Sequence, residues 1–174
     1  MPVVLIIAVT LLSTVGTDVG DDTVGHFHRS IVDDAQLLHL LAATGRKAEG
    51  GHYTGIEYNK ELYSQALKNR TLYVRHPGPD FLCVNAEDFP VTDADCFYFF
   101  NPFSIKTLHR VLDRILTSYY RQPRPMYLFF YYPSDEYLSF LMTAAELTFL
   151  DEIDCQDLFE GKNKRERILI FEIT

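Results

Sequence analysis

The run FYFFNPFS, residues 97–104, decides the class of fold. Its first four residues are all aromatic, so both faces of this part of the segment are apolar, whereas a half-buried strand alternates apolar and polar residues. Burial on both faces is typical of a central strand in a parallel sheet. Pro102 has no backbone N–H for a sheet ladder, so the strand is predicted to end there. Ser104 is a suitable N-cap for a following helix.

Strands and helices alternate on both sides of this run. Helical spacing of apolar residues follows it over residues 105–119. Another helical segment, NKELYSQALKNR, precedes it at residues 59–70, with Asn59 as its predicted N-cap. MYLFFYYP, residues 126–133, is a second uninterrupted apolar strand closed by proline. The last two strand-like runs, residues 147–156 and 165–174, are joined without a helix, so the final strand is predicted to be antiparallel. The pattern predicts a Rossmann-like α/β domain with a mostly parallel sheet and helices on both faces.

Composition and charge narrow the function classes. With 174 residues, 47% of them hydrophobic, the chain fits one folded unit rather than a disordered protein. The net charge of −8 disfavours nucleic acid as a partner. Three widely spaced cysteines without a CxxC pair indicate reduced thiols and a cytoplasmic location. The densest basic run is diluted by glutamates and is interpreted as a solvated turn; its basic residues are Lys162, Lys164, Arg165 and Arg167.

The N-terminal segment is atypical. Its apolar stretch, within MPVVLIIAVTLLSTVG, is shorter than the roughly 20 residues of a membrane-spanning helix and lacks the positive charge that precedes a signal-peptide core. A buried strand or a disordered leader is favoured over a cleaved signal. We therefore separate residues 1–36, of uncertain structure, from an α/β domain at residues 37–174. HFH, residues 26–28, lacks converging ligands, so no metal site is predicted.

Polar residues follow several predicted strands, where ligands bind in open α/β sheets. Glu57 follows YTGI, Asn85 follows FLCV, and Asn101 follows FYFF. Asn101 has no structural task in the predicted fold. Tyr131 and Tyr132, before a proline, are interpreted as core aromatics more readily than as the lining of a pocket.

The order of these segments resembles the class I S-adenosylmethionine-dependent methyltransferases. YTGIEYNKELYSQALKN, FLCVNAEDFP, DADCFYFFNPF and PMYLFFYYP, followed by a terminal hairpin, carry the resemblance over about residues 37–174. It implies a strand order of 3-2-1-4-5-7-6 with strand 7 antiparallel. It also implies S-adenosylmethionine as the cofactor and a small-molecule or protein methyl acceptor.

The resemblance assigns cofactor-binding roles to residues after the second and third strands. Glu57 takes the place of the acid that holds the ribose hydroxyls of the cofactor. Asn85 takes the place of an aspartate near the adenine amino group, and its side-chain carbonyl can accept the same hydrogen bond without the charge. Ala86 and Glu87 lie along the adenine edge.

The residues after the fourth strand are assigned to the transfer site. Asn101, Pro102 and Phe103 lie where the family brings residues to the methyl donor and acceptor. They are similar to the Asn-Pro-Pro-Tyr motif of some amino-group methyltransferases, but Phe103 replaces the second proline.

The family's glycine-rich cofactor loop is missing or degenerate. The chain has no glycine between Gly25 and Gly45, and Asp33 stands in for the loop's opening acid. Three explanations remain open: loss of cofactor binding, an abnormal leader, and a divergent loop that still binds. The first leads to an alternative function, a noncatalytic methyltransferase-fold protein that acts as a binding or structural module.

Overall fold

The strands form one sheet that contains both parallel and antiparallel pairs. A computed structural model describes residues 3–7, 52–73, 80–100, 103–156 and 163–174. The strands within these residues are β1 (Val3–Ile7), β2 (His52–Glu57), β3 (Asp80–Cys83), β4 (Cys96–Phe100), β5 (Tyr127–Tyr131), β6 (Leu147–Asp154) and β7 (Arg167–Ile173). Their order across the sheet is β3-β2-β1-β4-β5-β7-β6.

Strand polarity agrees with the prediction from the sequence. The strands from β3 to β5 run parallel to their neighbours, and β7 is antiparallel to both β5 and β6. The Rossmann-like α/β fold class is therefore confirmed. The strand order is the one that the resemblance implied.

One strand of the sheet comes from the atypical N-terminal segment. β1 pairs with β2 on one side and with β4 on the other, so it is an interior strand of the sheet. Of the alternatives for this segment, a strand is what the structure shows for Val3–Ile7. Residues 8–51, including Asp33, lie outside the described residues, so the boundary at residue 36 stays a prediction.

The aromatic strand β4 is buried on both faces, as its uninterrupted apolar sequence predicted. Phe97 and Phe99 lie in one apolar cluster, whereas Cys96 and Tyr98 lie in a second cluster across the sheet. Phe99 stacks on Phe130 of β5 with ring centroids 4.6 Å apart. Truncating a buried phenylalanine to alanine costs about 3–5 kcal/mol, so this pair of strands anchors the core.

Three described helices cover the sheet: α1 (Lys60–Tyr73), α2 (Ile105–Arg121) and α3 (Asp135–Leu141). Ser104 caps α2 by accepting a hydrogen bond from the Thr107 backbone N–H, and Ser134 caps α3 in the same way. The buried residues of α2 recur at helical spacing; they are Leu108, Val111, Leu112, Ile115 and Ser118. None of the described helices is long and apolar enough to cross a bilayer.

Candidate functional site

Glu57 ends β2 at the carboxyl edge of the sheet. The residue is only 4% exposed, so it is not a solvated side chain at a strand end. Its Oε1 accepts a hydrogen bond of 2.8 Å from the Asn59 backbone N–H. Burial raises the pKa of Glu57, and hydrogen bonds from the Asn59 and Tyr58 backbones offset part of that rise. The carboxylate is therefore held in a fixed position and partly desolvated.

Asn59 explains why the chain turns sharply after Glu57. Its Oδ1 accepts hydrogen bonds from the backbone N–H groups of Glu61, at 2.9 Å, and Leu62, at 3.2 Å. These are free donors of the first turn of α1, so Asn59 is the N-cap that the sequence predicted. The cap starts the helix two residues after the strand ends and fixes the direction of the Glu57 side chain.

The turn after β3 lies beside Glu57. The Val84 backbone N–H donates to the Glu57 carbonyl oxygen at 3.1 Å, and this bond extends the β2–β3 ladder to the edge. Asn85 is exposed, and its Oδ1 accepts a 3.2 Å hydrogen bond from the Glu87 backbone N–H. Ala86 is buried against the core. The structure therefore brings Glu57 and the Asn85 turn together on adjacent strands.

Glu87 has a partner that the sequence analysis did not foresee. Its Oε2 lies 2.5 Å from Nη1 of Arg110 on α2. The hydrogen bond from Arg110 is the largest cause that lowers the pKa of the Glu87 carboxyl. The pair directs this carboxylate toward α2, and a place for Glu87 along an adenine edge stays a prediction.

Phe103 follows β4 and is fixed through its backbone. Its N–H donates to the Tyr137 Oη at 3.1 Å, and that hydroxyl donates in turn to the Phe103 carbonyl oxygen at 2.9 Å. Tyr137 is 1% exposed, and burial raises its pKa to about 12, so it stays a neutral donor. Asn101 and Pro102 lie outside the described residues. No local pattern in the sequence points to Tyr137, which is 34 positions from its partner.

The chain turns after β5 through a strained residue. Tyr132 has φ of 54°, in the left-handed region that non-glycine residues rarely adopt. Its backbone N–H donates to the Arg167 carbonyl oxygen at 3.0 Å, and its Oη accepts a 2.7 Å hydrogen bond from Asn163 Nδ2. The Arg165 guanidinium lies over its ring, 4.2 Å from the centroid. We call Tyr132, Asn163 and Arg165 the β5 corner.

Aromatic rings connect this corner to the end of β4. Phe100 stacks on Tyr131 with centroids 5.0 Å apart, and its ring meets that of Tyr132 at 6.4 Å. The Tyr131 hydroxyl donates to the buried Glu166 carboxylate at 2.5 Å. Both tyrosines are half-buried rather than enclosed in the core. The turn that precedes β7 therefore packs beside the residues that lead into Asn101.

Among the described residues, no group of three histidine, cysteine or acidic side chains could hold a metal ion. The side chains at the carboxyl edge instead supply hydrogen-bond acceptors near β2 and β3, and aromatic rings with donors near β4 and β5. The first set suits hydroxyl and amino groups of a nucleoside. The second set suits a separate ligand beside it.

Comparison with known proteins gives the fold but no sequence relative. No family model matches the chain, and no curated protein matches it. The PH0226 protein of Pyrococcus horikoshii is 12% identical, with 99% of this chain and 82% of that chain aligned at a TM-score of 0.52. An rRNA methylase of Streptococcus thermophilus is 8% identical, with 99% and 87% aligned at a TM-score of 0.51.

A third structure was solved with a product of the cofactor. The tRNA (uracil-54, C5)-methyltransferase of Pyrococcus abyssi, in complex with S-adenosyl-L-homocysteine, is 10% identical at a TM-score of 0.50. The match covers 72% of this chain and 29% of that one. The resemblance noted in the sequence is thereby confirmed at the level of architecture: the chain has the class I methyltransferase fold.

Proposed function

We propose that this chain is an S-adenosylmethionine-dependent methyltransferase that acts on a small-molecule or protein acceptor. The observation that carries the proposal is the buried Glu57 carboxylate at the end of β2, an interior strand of a methyltransferase-type sheet. Ligands of open α/β sheets bind at this edge, and an acid in this position accepts hydrogen bonds from ribose hydroxyls. A buried carboxylate without such a task is costly.

The residues beside Glu57 fit the rest of a nucleoside. Asn85 is exposed at the end of the neighbouring strand, and its side-chain carbonyl would accept a hydrogen bond from the adenine amino group. Ala86 and the Glu87 backbone would flank the adenine edge. Asp33, outside the described residues, would stand in for the opening acid of the cofactor loop. These roles belong to the proposal, as does the cytoplasmic location, which rests on three free cysteines.

The transfer site would lie after β4. When bound, the cofactor would supply a methyl group activated by its sulfonium, and transfer by in-line displacement needs alignment and exclusion of water. Phe103 would border the acceptor, and Tyr137 fixes its backbone with two hydrogen bonds. Asn101 and Pro102 would bring a hydrogen-bond acceptor and a rigid turn to the same place.

The net charge of the chain bears on the class of methyl acceptor. The names of two structural neighbours refer to RNA: an rRNA methylase and a tRNA methyltransferase. The net charge of −8 on this chain opposes RNA phosphates. We therefore favour a small-molecule or protein acceptor.

Calorimetric titration with S-adenosylmethionine and S-adenosylhomocysteine tests the proposal. We expect saturable heat with both ligands from a chain whose fold is verified by circular dichroism. If the folded chain gives no heat at millimolar ligand, the methyltransferase proposal is contradicted. The noncatalytic binding module is then favoured.

A further inference from the structure

We propose that the β5 corner binds a single anionic group, a carboxylate or a phosphate, of a small-molecule methyl acceptor. This inference deepens the proposed function and rests on it, because it names the chemistry of the substrate. It assigns recognition of that anion to Tyr132 and Arg165, with Asn163 in support.

Arg165 is held in place, which corrects the interpretation of its basic run as a solvated turn. The side chain is half-buried, with Nε donating to the Pro133 carbonyl oxygen at 3.2 Å and Nη2 donating to the Tyr132 carbonyl oxygen at 3.3 Å. The guanidinium also covers the Tyr132 ring. Its Nη1 group has no hydrogen-bond partner among the residues that the structure describes. A fixed guanidinium with a free edge is suited to a carboxylate or phosphate.

Tyr132 adds a second oriented donor. Its Oη already accepts a hydrogen bond from Asn163 Nδ2, so the hydroxyl hydrogen remains for an outside acceptor. Within the described parts of the chain, that hydrogen has no acceptor. The bond from Asn163 polarises the hydroxyl and strengthens it as a donor. Asn163 in turn accepts a 3.0 Å hydrogen bond from the Arg165 backbone N–H.

Backbone strain at Tyr132 indicates that this arrangement is specific. A bulky residue with φ of 54° is an outlier, and such outliers persist only where surrounding contacts fix them. Here bonds from Asn163, Arg165 and to Arg167 hold both the backbone and the side chain. The same contacts hold the guanidinium over the face of the Tyr132 ring.

The position of the corner points to the acceptor rather than to the nucleoside. Its ring contact with Phe100 places it beside the last residue of β4, and β4 leads directly into the proposed transfer site. Glu57 lies at the end of β2, with β1 between β2 and β4. A methyl acceptor whose anionic group binds at the corner would be anchored there, and the reactive atom of that acceptor could reach the methyl donor.

Local charge favours one anionic group over a nucleic acid backbone. The neighbouring Arg167 is already paired with Glu152, whose Oε2 lies 3.2 Å from its Nη1. Among the residues that the structure describes, Arg165 has no carboxylate partner. One guanidinium and one phenol match a single carboxylate or phosphate, whereas a polyphosphate needs a line of cations.

The test is a titration of the full chain with sodium acetate and with inorganic phosphate, at ionic strength held constant with sodium chloride. Binding is followed through the Arg165 Nε–Hε resonance and the backbone amides of residues 163–167. The variants are Arg165→Gln and Tyr132→Phe. Arg114→Gln, an exposed arginine on α2, and Tyr120→Phe, 65% exposed, are the matched controls.

We expect at least one of the two anions to bind and to shift these resonances. Arg165→Gln should weaken the affinity for the bound anion more than about tenfold, and Tyr132→Phe about fivefold. The two control variants should stay within about twofold of wild type. Preference for acetate or for phosphate then identifies the anionic group. Because Tyr132→Phe keeps the ring, it remains informative if Arg165→Gln does not fold.

Three outcomes would overturn the inference. These are no shift with either anion, equal weakening by the controls, and displacement of bound phosphate by a short single-stranded RNA with an affinity that falls steeply with salt. A parallel titration with S-adenosylhomocysteine separates the two proposals. If S-adenosylhomocysteine binds wild type and Arg165→Gln equally while neither anion binds, the anion site is contradicted. The proposed methyltransferase function is then unaffected.

Discussion

The carboxyl edge of the sheet has two halves that are built in different ways. In the half after β2 and β3, Glu57 and Asn85 are fixed by backbone N–H groups two positions away in the chain. In the half after β4 and β5, the bonds join residues 34 positions apart at Phe103–Tyr137 and 31 positions apart at Tyr132–Asn163. The first half is a property of two short turns. The second half exists only once the chain has folded.

This difference predicts how each half responds to substitution. A change in the β2–β3 half removes a ligand contact and leaves the fold intact, because the local turns form independently of distant residues. A change in the β4–β5 half removes a tertiary contact and lowers the free energy of unfolding. Two bonds within the first half are long-range: the Glu87–Arg110 pair, which joins residues 23 positions apart, and the backbone bond from Val84 to Glu57.

Glu57→Ala should have the largest effect on binding. Loss of the carboxylate removes hydrogen bonds from the ribose, and we expect S-adenosylhomocysteine to bind more weakly by about 1.5–3 kcal/mol. Calorimetric titration measures the change, with Glu61→Ala, an exposed acid on α1, as the control. Unchanged affinity would show that Glu57 does not hold the ribose.

Tyr137→Phe should have the largest effect on stability. The substitution keeps the buried ring but leaves the Phe103 N–H and carbonyl without their partner, so the free energy of unfolding should fall by about 2 kcal/mol. Urea denaturation measures it, with Tyr120→Phe as the exposed control. A loss no larger than that of the control would mean that the backbone of Phe103 is not fixed by this hydroxyl.

The affinity for S-adenosylhomocysteine should depend on pH through Glu57. Burial raises the pKa of this carboxyl above its ordinary value of 4.5, and the ionised form is the better acceptor for ribose hydroxyls. Affinity should therefore be full above the raised pKa and fall as the pH drops through it. Without ligand the sign reverses: the folded chain holds the proton more tightly, so stability falls as pH rises from 4.5 through the raised pKa.

Titrations at several pH values check this dependence. Glu57→Gln should bind more weakly and give a flat profile, since it cannot ionise. A variant that keeps the wild-type profile would assign the titration to another group.

Glu87→Gln should have the smallest effect. The carboxylate pairs with Arg110 at the surface, where ion pairs contribute little and are screened by salt. We expect affinity for S-adenosylhomocysteine to stay within about twofold of wild type. A large loss would place the Glu87 side chain at the nucleoside and remove it from the α2 contact.

Features that depend on residues close together in the chain were predicted from the sequence, and features that depend on distant residues were not. The uninterrupted aromatic run gave β4 and its burial, Ser104 and Asn59 gave the starts of two helices, and a helix-free connection gave the antiparallel β7. Each signal lies within a few residues of the element that it specifies. The interior position of β1 could not be predicted, because an apolar run such as this one fits a strand and a leader equally well.

The α/β class, the strand ends and the turn that positions Glu57 follow from local sequence, since they depend on periodicity, proline and capping. Tertiary packing is needed to place Val3–Ile7 inside the sheet, to join Tyr137 to Phe103, and to lay Arg165 over Tyr132. Those contacts join segments that are distant in the chain. Their geometry depends on how the sheet and its helices pack, and no local pattern encodes it.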